Sequence, residues 1–331
     1  MINYIVRRFI YMVVVILLIS VVAFIVIQLP PGSYLQSIVS QLKQRGVQVT
    51  ADYEEELARQ YGFNLPVYRQ YLNWLGNIVF RGDFGRSFVH NRTVLSMMGE
   101  RIVLTIVLSF STLIATYLMA IPIAIYSATH QYSIWDYFWT FFGFIGLATP
   151  NFLLALVLMF SFYRLGMDVG GLFSLEFQMM EGWNLAKVWD MVKHLPIPII
   201  VVGTAGTAGL IRVLRGSLLD ELSKAYVVTA RAKGLNETRL LFRYPVRIAV
   251  NPIISQIGGI LPQLISGATI TSIVLNLPTT GPLLLQALRQ QDLYVAASIL
   301  LMLSTLGVIG VLISDILLAI VDPRIRFERA S

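Results

Sequence analysis

Cysteine is absent from the chain, and histidine occurs only at His90, His130 and His194. Without cysteine there are no disulfides, thiolate nucleophiles or thiolate metal ligands. The three histidines lie far apart, and none pairs with another at metal-ligand spacing. Each reads as an interfacial residue, so no metal site is expected. No Gly-x-x-x-x-Gly-Lys-Ser/Thr run occurs, so the chain lacks the usual cradle for nucleotide phosphates. No other catalytic constellation stands out, and an enzyme is not expected. Charge is scarce as well. Only 13% of the 331 residues are Asp, Glu, Lys or Arg, against about 25% in a soluble domain. That is too little for a water-facing surface of this size.

What the chain has in abundance is apolar residues, at 56%, with a mean hydropathy of +0.71. They are gathered into long blocks, which a soluble core does not require. A run from Phe9 to Leu29 follows Arg7 and Arg8. It is long enough to cross about 30 Å of hydrocarbon at 1.5 Å per residue. It also lacks a small-residue cleavage site, so it reads as an uncleaved first span. Further blocks cover 102–126, 137–163, 195–211, 248–277 and 293–321. In lipid each must bond its own backbone, so each is expected as a helix. The block 195–211 is the weakest, carrying Pro196, Pro198, Gly203, Gly206 and Gly209, and it is short unless extended to Leu219. The reading is an all-α polytopic membrane protein. Its parts are an N-terminal transmembrane helix in 1–30, a small helical extracytoplasmic segment in 31–100, and a five-helix core in 101–331 with a cytoplasmic loop at 220–245.

Basic residues orient these spans. Arg7 and Arg8 precede the first, and Arg212, Arg215, Lys224, Arg231, Lys233, Arg239, Arg243 and Arg247 fill 212–247. The loops 164–194 and 278–292 hold only Arg164, Lys187, Lys193 and Arg289. The positive-inside rule then puts both termini in the cytoplasm. The net charge of +7 is accounted for by these loops, and no nucleic-acid partner is expected.

Polar residues inside apolar blocks mark where a path for cargo is to be sought. Gln256, Gly259, Gln263 and Ser266 share one helical face of the fifth span. Such a stripe is costly against lipid and should meet other helices or water. It reads equally as interhelical hydrogen bonding or as pore lining. Asp315 lies inside the sixth span. A buried ionisable group there is paired or functional, and Arg212 or Arg215 is the expected partner, with a cargo contact as the alternative. In the extracytoplasmic segment, Tyr68, Tyr71, Trp74 and Leu75 have helical spacing and are expected to form an aromatic face. That segment reads either as a cap resting on the membrane surface or as a platform for a substrate-delivery protein.

The cytoplasmic loop is the most informative stretch. Ala225 to Lys233 is good helix material, Gly234 is a helix stop of the left-handed kind, and Asn236 is placed to cap a second short helix. Val227, Ala230 and Gly234 fall on one face with Arg231 beside them. The expected product is two short helices bent at a glycine, small on one side and basic on the other, suited to a groove on a cytoplasmic partner.

The residues Ala225, Tyr226, Thr229, Ala230, Arg231, Ala232, Lys233, Gly234 and Leu235 resemble the EAA-type coupling loop of bacterial ABC import permeases, in the form found in the dipeptide/oligopeptide/nickel family. Other stretches resemble that family in the same order along the chain. They are Gly62-Phe63-Asn64-Leu65-Pro66 with Gln70-Tyr71, Gly82-Asp83-Phe84-Gly85-Arg86-Ser87, Arg101 with Thr105, Arg212 with Arg215 and Ser217, and Asp322-Pro323-Arg324-Ile325-Arg326. The likeness covers nearly the whole chain and points to the first of two permease subunits. It implies six transmembrane helices of the type I importer kind and a place in the inner membrane. The implied partners are a second permease, two ATPase subunits that bind ATP and Mg, and an extracytoplasmic substrate-binding protein; the permease itself binds no cofactor. The chain departs from the family at Val228, Tyr244-Pro245-Val246, Leu277 to Pro282 and Gln291. These departures leave the transporter class intact and keep both oligopeptides and oligosaccharides open as cargo. A secondary transporter working without ATPases is the less favoured alternative, since no inverted repeat or midplane charge pattern stands out.

Overall fold

The computed structural model describes residues 2–28, 35, 39–40, 42–43, 46–60, 64–87, 89–166, 169–180, 182–267 and 269–321, without the side chains of 2–5, 26–28, 57, 60 and 260–267. Among them the secondary structure is helical apart from one antiparallel bridge, Arg86 to Thr93. The helices are α1 (Ile2–Gln28), α2 (Ala51–Gln60), α3 (Val67–Arg81), α4 (Val94–Thr129), α5 (Ile134–Ala148), α6 (Asn151–Arg164), α7 (Leu175–Gln178), α8 (Leu185–His194), α9 (Pro196–Leu222), α10 (Ala225–Ala232), α11 (Glu237–Arg243), α12 (Pro245–Ala249), α13 (Asn251–Gly267), α14 (Thr269–Val274), α15 (Thr280–Arg289) and α16 (Leu293–Val321).

By length and composition, α1, α4, α9 and α16 can each cross a membrane, and a fifth span is available if α5 and α6 are counted together. Hydropathy led to an expectation of six spans; among the described residues four helices, or five with the bent pair, meet that length and composition. The block 137–163 is broken between α5 and α6, whose axes differ by 107°. The cause is Pro150, the residue before α6. Proline has no N–H to continue a helix, and it forces the residue before it into extended backbone. Thr149 has ψ 122° accordingly. The block 248–277 has a turn at Val250, between α12 and α13. The block 195–211, expected to be weak, is an unbroken helix of 27 residues reaching Leu222. Pro196 opens it, where a missing N–H costs nothing.

The chain forms two compact units. The first comprises Met1–Met12, Leu104–Pro278 and Leu306–Ser331. Its centre is α9, which packs on α5, α6, α12 and α13. One apolar cluster joins Leu104, Leu108, Leu172, Phe173, Leu195 and Leu275, and another joins Ala120, Ala124, Leu210, Leu214, Leu218 and Ile253. Small residues allow close crossing. A Cβ on Gly203 would lie 3.0 Å from the Thr116 hydroxyl, and one on Gly146 would lie 2.5 Å from the Thr204 methyl. Without hydrophobic drive between helices in lipid, such close backbone approach supplies the packing attraction. The glycines that weakened the hydropathy signal of α9 are thus part of its interface.

The second unit comprises Val13–Val103 and Thr279–Thr305. Val94, Met98, Leu283, Ala287, Val295 and Ile299 form one of its clusters, and Phe24, Trp74, Leu293, Ala297 and Leu301 form the other. Of the expected aromatic face on α3, Tyr71, Trp74 and Leu75 turn inward with Ile78, whereas Tyr68 stays exposed.

Candidate functional site

The cytoplasmic element is built as a bent pair of short helices. α10 ends where Gly234 adopts φ +77°. A Cβ there would touch nothing within 4 Å, so the glycine answers to backbone conformation alone. The Leu235 amide then reaches back to the Ala230 carbonyl. Asn236 caps α11 by accepting from the Thr238 amide at 3.0 Å, as its position in the sequence suggested. Arg231 and Glu237 join across the bend through two guanidinium–carboxylate contacts. Each raises the other's tendency to stay charged: the hydrogen bond first, then the opposite charge, lifts the Arg231 pKa and lowers that of Glu237.

The inner side of this element differs from the expectation. Val227 and Ala230 are buried, with Leu240 of α11 closing over them and Tyr226, Leu235 and Tyr244 packed around. They are therefore the element's own small core, and no small face made of Val227, Ala230 and Gly234 is offered outward. A helix pair this short has no other apolar source of cohesion, so its smallest residues are spent holding the bend. Ala225, Val228, Thr229 and Ala232 share one exposed face of α10, flanked on the same helix by Lys224, Arg231 and Lys233, and Glu237, Arg239, Phe242 and Arg243 of α11 are exposed as well. Tyr226 anchors the element to the end of α9 by donating its hydroxyl to Glu221 at 2.5 Å. Burial first, and the Glu221 carboxylate second, push that phenol above its ordinary range.

Two ion pairs in the same unit correct the expected pairing of Asp315. Its partner is Arg8 of α1, at 2.9 Å. Arg215 instead holds Asp136 at the start of α5, through Nε at 3.2 Å and Nη2 at 2.9 Å. Asp136 also accepts from the Tyr132 amide while Ser133 accepts from the Asp136 amide. A planar guanidinium that meets a carboxylate edge-on fixes direction as well as distance. The sequence contained both acids and both arginines, but nothing in the spacing reveals which meet across more than seventy residues.

Of the candidate pore residues, Gln256 is half-buried and Gly259 exposed. Gln263 and Ser266 are helical in backbone, and their side chains lie outside the described residues. Gly258, beside Gly259, has a packing role: a Cβ there would sit 2.9 Å from the Val311 Cα. Gly62-Phe63 and Asp322 to Arg326 also lie outside the described residues. The histidines are separate. His130 stacks on Tyr126 with ring centroids 4.6 Å apart, and the His194 Nδ1 bonds the Asp190 carbonyl at 2.8 Å.

The stretch Gly82 to Ser87, in the second unit, is a closed turn. Gly82 caps α3 at φ +63°. Gly85 has φ +89°, and a Cβ on it would press the Tyr294 ring at 3.3 Å. The Ser87 hydroxyl donates to the carboxylate of Asp292, and both side chains are buried. Burial pushes the Asp292 carboxyl above the ordinary range, against the lowering pull of Ser87 and of the Val295 and Val89 amides. In sequence Asp292 stands beside the departure at Gln291, a carboxylate immediately before an apolar block.

Comparison with known proteins places these features in context. Residues 120–327 match the family described as "Binding-protein-dependent transport system inner membrane component". Residues 1–109 match its N-terminal companion, "Binding-prot-dependent transport system membrane comp, N-term". The oligopeptide transport system permease protein AppB of Bacillus subtilis (strain 168) is 36% identical over 327 residues, covering 98% of this chain and 99% of that protein. The peptidoglycan transport system permease protein YejB of Agrobacterium fabrum is 29% identical, with 98% of each chain covered. The dipeptide transport system permease protein DppB of Alkalihalophilus pseudofirmus is 28% identical, covering 99% of this chain and 100% of its own.

Proposed function

The chain belongs to the family of binding-protein-dependent transport system inner membrane components, and on that premise we propose that it forms half of the pathway of a peptide importer and receives the stroke of cytoplasmic ATPases through residues 225–238. It is a permease component of an ABC importer, and ATP hydrolysis falls to separate subunits. The cargo class follows its relatives, an oligopeptide and a dipeptide transport system permease protein.

The observation that carries the coupling assignment is the construction of α10 and α11. Their core is filled from within by Val227, Ala230 and Leu240, so the bend holds its shape without a partner. A face of small residues, Ala225, Val228, Thr229 and Ala232, is left outside, flanked by Lys224, Arg231 and Lys233. Small side chains flanked by cations suit a groove with an acidic rim. The partners are a second permease, two ATPases carrying ATP and Mg, and an extracytoplasmic binding protein. Both termini face the cytoplasm, as the basic residues at 7–8 and 212–247 require. Gln256 and Gly259, with Gln263 and Ser266 further along α13, supply the polar lining. When the ATPases close, α10 and α11 move as one piece with the end of α9, to which Tyr226 ties them, and the helices around the pathway rock to open it on the other side.

The test is Ala232→Glu in the assembled complex. Ala232 is exposed, so folding and membrane insertion should be unchanged. Cargo-stimulated ATP hydrolysis should fall at least about tenfold, the cost of one misplaced charge in a close interface. Full stimulation in that variant overturns the assignment.

A further inference from the structure

Helix α3 divides into three faces. At 3.6 residues per turn, Tyr71, Trp74, Leu75 and Ile78 fall on one side, and these are the residues packed into the core of the second unit. Tyr68, Leu72 and Val79 fall on an adjacent side, and all three are exposed. Gln70, Asn73, Asn77 and Arg81 fall on the third, with Arg69 at its seam. A helix at the surface of a soluble protein has two faces, apolar inward and polar outward. The extra apolar face needs a third medium.

The packing of α3 on α1 supplies it. The Ser20 and Tyr71 hydroxyls are hydrogen-bonded at 2.8 Å. Phe24 meets the Tyr71 ring edge-on at 5.6 Å and the Trp74 ring at 5.5 Å. The apolar span of α1 is Val6–Ile25. At 1.5 Å per residue, Ser20 is therefore about 7 Å inside the end of that span. Contact at that depth puts α3 beside the hydrocarbon rather than above it. The side of α1 turned away from α3 is itself apolar and uncovered at Leu18, Val22 and Ile25, as a helix surface that meets lipid along this length would be.

We infer that α3 lies in the leaflet at the C-terminal end of α1, with Tyr68, Leu72 and Val79 against lipid acyl chains and Asn73, Asn77 and Arg81 at the headgroups. Arg69 and Arg81, at the two ends, extend their guanidinium groups to that level, as long basic side chains do. The segment read from sequence as a surface cap or a platform is thus partly embedded in the leaflet.

The chain has no cysteine, so single cysteines can be introduced without removing any. Leu72→Cys, Val79→Cys, Asn73→Cys and Glu55→Cys, each carrying a nitroxide, are placed in the full chain in phospholipid nanodiscs. Accessibility to oxygen and to a water-soluble nickel chelate is then measured with and without the rest of the transport complex. Positions 72 and 79 should favour oxygen and positions 73 and 55 the chelate, with at least a several-fold difference in their ratio and no change on assembly. If 72 and 79 are as open to the chelate as 55, or become shielded only when partner proteins are added, the face belongs to water or to a protein and the inference is wrong. No cargo or ATP is involved, so the outcome is independent of the coupling assignment.

Discussion

Two turns in this protein are punctuated by a glycine at positive φ, and they are built for opposite ends. At Gly234 the space beyond the backbone is open, the neighbouring ion pair is exposed, and the small apolar residues beside it are divided between an internal core and an uncovered strip. At Gly85 the space is filled by Tyr294, and the neighbouring polar pair, Ser87 with Asp292, is buried. In sequence the two look alike: small, polar and basic residues around a glycine. The difference teaches that a motif is available to a partner when its own fold leaves it uncovered, and is structural when the fold consumes it.

Substitution at the two glycines should separate these roles. Gly85→Val combines a strained backbone with a clash against Tyr294, and should cost about 3 kcal/mol or more. Melting of the purified chain and the yield of inserted protein would both fall. Gly234→Val meets only the backbone penalty, about 1–2 kcal/mol. It should insert and assemble, but lose cargo-stimulated ATP hydrolysis. Equal loss of folded protein in both variants would abolish the distinction.

The Arg215–Asp136 pair gives a third, intermediate case. Asp136→Ala strands a guanidinium that keeps some access to solvent, and should lower stability by about 2 kcal/mol, less than for a fully buried pair. Asp292 offers a finer test through pH. Its folded pKa is raised, so the stability it contributes is complete below the ordinary carboxylate range and is lost as pH rises through the raised value. Asp292→Asn does not titrate. The difference in melting temperature should therefore move in favour of the variant as pH rises from about 4 towards neutrality. A difference constant with pH would show that the carboxyl is not held above its ordinary range. The smallest effect belongs to the exposed pair at the other turn. Glu237→Gln should leave melting unchanged at low and high salt, because solvent already screens both charges. A clear drop would mean that this bend, too, is held by its polar contacts.

Much of the cytoplasmic element was legible before any coordinates. Gly234 as a stop and Asn236 as a cap are local features, decided by the conformation of one residue and by one side chain's reach to an amide two residues on. The direction in which α10 faces was not legible. Val227 and Ala230 could have served a partner or α11, and only the position of Leu240 decides. Pro150 could have been read as the break between α5 and α6, because a proline's effect is local; the long apolar block on both sides of it obscured the signal.

Composition and hydropathy alone determined that the chain lives in a membrane, since a surface so poor in charge cannot face water. Residues 225–235, with the other stretches that resemble the family in the same order, pointed to its class, because each is contiguous and needs no folding to be compared. Tertiary structure decided which charges meet, Arg8 with Asp315 and Arg215 with Asp136, and which apolar faces stay uncovered, as on α3. Those outcomes depend on contacts between residues far apart in the chain, and periodicity along one helix says that a face exists without saying what lies against it.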